Sequence, residues 1–457
     1  MATFLPAKIT GILLLFLSVS TLSAKGTTEG KDDAGNVVSV TAAFQHQTID
    51  RYINDAIEAK AFPGAQLIIG DSSGIVYAKN YGYLDYEHKD TVTDNNLYDL
   101  ASCTKVMATT LAIMKLVGDQ QIFLSDKLGD LVPRFRNTAV ANLTLSQLLT
   151  HTSGMKAGIS LSAELVEPAN EGTLFSYRKD ELHPYRVDSR LYINKDIKYN
   201  ASFITTKREE NTRPITDKLF IRTDFDPILD SMIIASYTPS RRGTYRYSDL
   251  NFYFIQQIIE ERTGETLDNY VKKIYHALNL FDIGYNPLDW KPKEYIAPTE
   301  CDYLMRRDTI RGYVHDELAA VLGGVSGNAG LFANAKSMAV ICQMLLKKGE
   351  YKGCEIIKPE IVEKFTASQI PGGRIYRGLG FDKQNPASTP YSKESYGHSG
   401  FTGTYFWIDP ANNMYVILLT NRVYPTRVNN LLNSDFRSKL WTQIKEELTS
   451  KTSADTN

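Results

Sequence analysis

From His46 to Lys60 the apolar residues Ile49, Tyr52, Ile53, Ala56 and Ile57 recur at three- and four-residue steps, the period of an amphipathic helix. Gln66 to Tyr81 then reads as two β-rich runs around Asp71-Ser72-Ser73-Gly74, so a hairpin follows the helix. Val106 to Val117 is apolar on nearly every side, the mark of a buried helix. Near the other end, Thr404–Ile408 and Met414–Thr420 flank the turn Asp409-Pro410-Ala411-Asn412-Asn413, and a last helix is predicted from about Arg427 to Leu448. Both ends therefore supply helix and strand while the middle is predicted mainly helical. The expected fold is an α/β (α+β) sandwich whose antiparallel sheet is completed by both chain ends, with a helical region inserted over about 120–300. Residues 157–242 are polar, rich in Tyr, Asp, Lys and Arg, and too long for a compact loop. They are expected to elaborate the helical region, overhang a cleft and select substrates.

The first 24 residues look like a secretory signal peptide: Lys8 precedes an apolar run from Ile9 to Leu17, and Leu22-Ser23-Ala24 puts a small residue at the cut. That run is too short for a stable membrane span. Residues 25–42 read as a flexible leader and 43–450 as the folded body of an exported, periplasmic protein without a transmembrane anchor. The 457 residues carry 51 basic and 52 acidic side chains, a balance that excludes a nucleic-acid or anionic-membrane partner. Seven histidines lie without metal-ligand spacing, so neither metal nor cofactor is expected. The four cysteines form no disulfide framework, although a Cys342–Cys354 pair stays open.

The chemistry begins at Ser102-Cys103-Thr104-Lys105. On a helix, residues three apart share a face, which brings the Lys105 ammonium to the Ser102 hydroxyl. A serine needs such a neighbour to lose its proton, and a helix N-terminus adds free N–H groups and a positive dipole end. The simpler reading is a helix cap at Ser102 with Lys105 reaching outward. Two later stations favour catalysis. Tyr247-Ser248-Asp249 precedes an amphipathic helix and can aim a phenol at the serine, and His398-Ser399-Gly400 precedes the strand run Thr402 to Ile408.

In the order S-x-x-K, Y-x-[ND], [KH]-x-G, these motifs resemble the serine β-lactamase and penicillin-binding-protein superfamily, in its class C and DD-peptidase branch. The likeness extends to Leu148-Leu149-Thr150-His151-Thr152-Ser153-Gly154, to Gly312-Tyr313-Val314-His315-Asp316 and to Gly323-Gly324-Val325-Ser326-Gly327-Asn328-Ala329-Gly330-Leu331-Phe332. These segments are most similar to serine-hydrolase modules fused to bacterial glycoside hydrolases. The resemblance implies a β-lactamase/transpeptidase-like fold, Ser102 as acylated nucleophile, Lys105 as its proton-handling partner and Tyr247 as second acid/base. Asp249, His398, Gly400 and Thr402 would bind substrate, with the Ser102 N–H and one near Thr402 as oxyanion donors. His151 and His315 are read as structural.

Two departures stand out. Asp249 replaces the asparagine whose amide would meet a substrate carbonyl in class C β-lactamases, and His398 replaces the lysine of K-T-G, predicting activity that follows its protonation. A class A assignment through Ser248 fits poorly, because Leu250 stands where S-D-N needs asparagine and Glu265–Asn269 straddles a helix boundary. The expected activity is that of an exported serine hydrolase forming a covalent acyl-enzyme, a DD-peptidase acting on cell-wall peptides. A carboxylesterase or β-lactamase of the same fold, or a non-catalytic cell-wall binder, are the alternatives. The partner is a small peptide or acyl ester substrate, including cell-wall fragments.

Overall fold

The computed structural model describes residues 29–31, 37–39, 47–370, 376–429 and 435–454, so the expected signal peptide lies outside the described residues. The chain divides into two compact units, Met1–Ala43 and Phe44–Asn457. In the first, within the expected leader, Glu29–Lys31 pairs antiparallel with Val37–Ser39.

The second unit is built on a five-stranded antiparallel sheet in the order Tyr396–Ser399, Tyr405–Asp409, Met414–Thr420, Gly64–Asp71, Gly74–Gly82. It joins strands more than 300 residues apart in sequence, as expected from the two terminal patterns. Period-two alternation sorts its side chains. Ile68, Phe406, Ile408, Ile417 and Leu419 join the larger core, which includes the helix Ala335–Leu346. Leu67, Ile69, Trp407, Val416 and Leu418 face the other way and pack with Ile49 and Ile53 of the helix Gln47–Glu58 and with Leu440, Trp441 and Ile444 of the helix Phe436–Ala454. Each such aliphatic side chain contributes roughly 1.5–3 kcal/mol on burial. The last helix starts nine residues later than periodicity predicts.

The buried segment after Ser102 is not one regular α-helix. A 3₁₀ turn at Ala101–Cys103 leads into a π-helical stretch at Lys105–Thr110 and then an α-helix at Leu111–Gly118. Widening to i→i+5 frees backbone carbonyls, and the Thr110 hydroxyl takes one by donating to the Lys105 carbonyl at 2.7 Å.

The middle of the chain departs from the helical expectation. Between Val166 and Arg222 it forms short antiparallel strands in three small sheets, among them Thr212–Pro214 beside Phe220–Arg222. Runs such as Tyr185-Arg186-Val187-Asp188 and Leu191-Tyr192-Ile193 carry the aromatic and β-branched residues that fit a pleated half-buried surface, a signal the polar composition hid. All four cysteines are free; Cys342 is buried and Cys354 exposed, which closes the question of a pair. No helix of the described residues is long and apolar enough to cross a membrane.

Candidate active site

Ser102 sits where the chain leaves the short strand Tyr98–Asp99, which pairs with Leu331–Ala333. Ala101 just before it has φ +45°, a conformation that costs a non-glycine residue about 1–3 kcal/mol. The Asp99 carboxylate accepts from the Ala101 N–H at 2.8 Å and holds that turn. The half-exposed Ser102 Oγ accepts from Lys105 Nζ at 2.9 Å, so the spacing does deliver the lysine despite the π-helical backbone. Lys105 does not reach outward as a cap reading would have it. It is fully buried, donates to the Asn328 carbonyl at 2.9 Å and pairs with Asp249 at 2.6 Å.

Burial alone would lower the Lys105 pKa, but the Asp249 carboxylate beside it, followed by the Tyr247 oxygen, outweighs burial and raises it above the usual lysine value. Lys105 is therefore an ammonium in the resting site. Lys105 Nζ lies 5.2 Å from the centre of the Tyr247 ring; burial raises the Tyr247 pKa, with the Lys105 charge acting against it.

The Tyr247 turn is framed by the segment that begins at Leu148. The buried Nδ1 of His151 accepts from the Ser248 N–H at 3.1 Å, the His151 carbonyl accepts from the Arg246 N–H at 2.8 Å, and Ser248 Oγ donates to the Lys156 carbonyl at 2.6 Å. The His151 ring lies 4.6 Å from the Tyr247 ring. Burial, followed by the charges of Arg377 and Lys105, holds His151 well below its usual pKa. His151 is structural, as expected, and what it structures is the placement of the tyrosine.

The third motif needs correction. His398 lies 6.1 Å from the Tyr247 ring, but burial first, then Arg377 and Lys105, hold its pKa well below 6.5. It is neutral and supplies no switchable positive charge. Gly400 and Thr402 pack against the turn that carries Ser102. A Cβ on Gly400 would stand 2.1 Å from Thr404 Oγ1 and 2.5 Å from the Leu100 carbonyl, and the buried Thr402 hydroxyl donates to the Asp99 carbonyl at 2.7 Å. Their small or hydroxylated side chains dock the end of the sheet onto the Ser102 turn.

The fixed positive charge comes from Arg377, which no motif contains. This 3% exposed guanidinium lies 5.8 Å from the Tyr247 ring and 5.9 Å from the Tyr245 ring, and Nη1 pairs with Asp382 at 3.1 Å. Among the described residues, its buried Nε and Nη2 have no hydrogen-bond partner. Asn328 and Asp316 were missed too, although both lie in quoted segments. Asp316 Oδ1 accepts from Asn328 Nδ2 at 3.0 Å and from the Ala319 N–H at 2.8 Å, while the Asn328 carbonyl carries Lys105. Burial, then the nearby Asp249 and Glu317 charges, push the Asp316 carboxyl up to about 6. Among the described residues, no group of three His, Cys, Asp or Glu side chains is arranged to hold a metal ion.

A β-lactamase family model matches residues 49–182 and 228–434. The chain belongs to that family, whose members are typically serine hydrolases. It is 30% identical over 407 residues, 82% of this chain and 81% of the relative, to a putative D-alanyl-D-alanine carboxypeptidase from Escherichia coli K12. It is 28% identical to an N-acetylmuramyl-L-alanine amidase from Bacillus subtilis, covering 90% of this chain and 91% of that one. Among solved structures, the octameric penicillin-binding protein homologue from Pyrococcus abyssi superposes with a TM-score of 0.58 at 20% identity, covering 82% of this chain and 73% of that one. The sandwich with its inserted region is thus the β-lactamase/transpeptidase-like fold.

Proposed function

We propose that this β-lactamase-family chain is an exported serine peptidase of the D-alanyl-D-alanine carboxypeptidase type, acting on cell-wall peptides through an ester on Ser102. The observation that carries the reading is the buried Lys105 ammonium, which donates to Ser102 Oγ at 2.9 Å and lies 5.2 Å from the Tyr247 ring. As Ser102 Oγ bonds the scissile carbonyl carbon, its proton passes to the Tyr247 oxygen while the phenol's own proton passes to the departing amine nitrogen, so that Tyr247 stays neutral and the Lys105 ammonium lies beside the relay. The C–N bond breaks as the amine takes that proton. Water attacks the ester by the reverse route, giving one proton back to Ser102 Oγ.

The spare donors of Arg377 favour a substrate that ends in a carboxylate, since a buried guanidinium with two free donor atoms is costly unless an anion completes it. Export is supported by the apolar leader at Ile9–Leu17 and by the names of the cell-wall-acting relatives. The Bacillus relative, matched over nearly its whole length, supports a second reading in which the scissile bond joins a muramyl lactyl group to L-alanine.

The test is intact-protein mass spectrometry with a penicillin and with a D-Ala-D-Ala peptide, comparing the wild type with Ser102→Ala. An adduct and D-alanine release that both need Ser102 are expected. Release of L-Ala-peptide from a muramyl peptide with no D-alanine release would establish the amidase instead, and unchanged activity in Ser102→Ala would refute the acyl-enzyme.

A further inference from the structure

A second concavity of about 470 Å³ lies between the inserted hairpin and the body of the unit. Ser102, Lys105 and Tyr247 are not among its lining residues. One wall is formed by residues between Arg208 and Phe220, inside the 183–227 stretch that lies outside the matched family core. The other includes Val314, two residues before Asp316, and Gly324, four residues before Asn328. Gly324 stands four residues before the Asn328 carbonyl that holds Lys105, a separation of at most ~14 Å of chain. A tetrapeptide in extended form has about the same reach.

The concavity is kept open by its glycines. A Cβ on Gly323 would meet Arg213 Cδ at 2.9 Å and one on Gly324 would meet Asn286 Oδ1 at 2.0 Å, both at positive φ. Its polar groups are differently engaged. Asp217 is taken by Lys293 and Tyr313, and Arg213 gives Nη2 to Asp226 while its Nε stays buried without a partner. The exposed Arg208 and Asp289 supply opposite charges, both felt by Tyr313, which donates to Asp217. Ile215, Leu288 and Val314 add apolar wall. An orphaned interior N–H wants a carbonyl, and an exposed cation and an exposed anion together suit a group bearing both a carboxylate and an ammonium.

We propose that this concavity is a subsite for the far end of the acyl half of the substrate, binding a zwitterionic α-amino-acid group on a peptide of about four residues. The proposal rests on the peptidase reading of Ser102 and adds the substrate's other end. Its volume falls in the range of small-ligand sites.

The probe is γ-D-glutamyl-L-lysyl-D-alanyl-D-alanine, whose γ-linkage leaves an α-ammonium and an α-carboxylate free, compared with the same peptide acetylated and amidated at those two groups. Calorimetric titration into full-length Ser102→Ala should find the zwitterion bound at least tenfold more tightly. Adding Arg208→Glu or Leu322→Trp, the second to fill the space, should bring that ratio to about one and leave affinity for N-acetyl-D-alanyl-D-alanine unchanged. A ratio near one in Ser102→Ala alone, or one that survives both added substitutions, overturns the subsite. D-alanine release by the wild type is read separately: its absence would defeat the carboxypeptidase reading while the binding ratio still decides the concavity.

Discussion

Replacing Asp249 by Asn removes the anion that faces a fully buried ammonium while leaving an amide of the same shape. At 2.6 Å and an effective dielectric of roughly 20, the direct attraction is about 6 kcal/mol. Desolvation of Lys105 opposes it, and Asp249 keeps 31% of its side-chain surface in water. Breaking a buried pair costs ~3–5 kcal/mol and an exposed one under ~1 kcal/mol, so a net loss of about 2–3 kcal/mol fits this half-open geometry. The sign follows from the raised Lys105 pKa. That contribution is fully present below the unfolded value of 10.5 and is lost only as pH rises through the folded value, so it acts in full at pH 7. With an unfolding entropy of ~2.1 cal/mol/K per residue across the Phe44–Asn457 unit, the loss corresponds to a fall of about 3 °C in Tm. The assay is thermal unfolding at pH 7 together with the rate of penicillin adduct formation. Adduct formation should speed up, because the amide can donate to a substrate carbonyl where the carboxylate cannot. A Tm within 1 °C of the wild type and an unchanged acylation rate would refute the account of the pair.

Asp316, pushed up to about 6, faces Asp249 and anchors Asn328, so kcat/KM should inflect near pH 6; Asp316→Asn should remove the inflection and His398→Gln should keep it, because His398 is already neutral. Persistence of the inflection in Asp316→Asn would reassign it. Arg377→Met should raise KM for a carboxylate-ended peptide by about 10–100-fold with kcat little changed, the worth of one charge-assisted hydrogen bond, and equal effects on the peptide and its C-terminal amide would argue against carboxylate binding. Gly400→Ala should destabilise by about 1–3 kcal/mol in thermal unfolding, since its Cβ would meet Thr404 and Leu100 at 2.1 and 2.5 Å; a wild-type Tm would mean that the turn yields.

The sequence by itself determined what local pattern and short spacing encode. Hydrophobic periodicity identified the two end helices, the first hairpin and the last two strands. Three residues of chain suffice to bring Lys105 to Ser102, whichever helical form the backbone takes. Tyr247 lies beside Lys105 as the order of motifs implied, although the two are 142 positions apart in sequence. Charge state and neighbour identity were decided only by the tertiary structure, because burial and distant partners set them. His398 is neutral because the fold buries it beside Arg377 and Lys105, which lie 21 and 293 positions away in sequence. Gly400 leaves no room for a Cβ against the Leu100 carbonyl and the Thr402 hydroxyl donates to the Asp99 carbonyl, so both residues join the sheet to the Ser102 turn across some 300 positions of sequence. Arg377 carries no motif and enters the site only because a short bridge between Asp382 and Gly397 lays its segment along the sheet edge. The strands of the insertion were hidden for a related reason: sheets only two or three strands wide bury little apolar surface, so the alternation that marks a strand is faint until its partners are known.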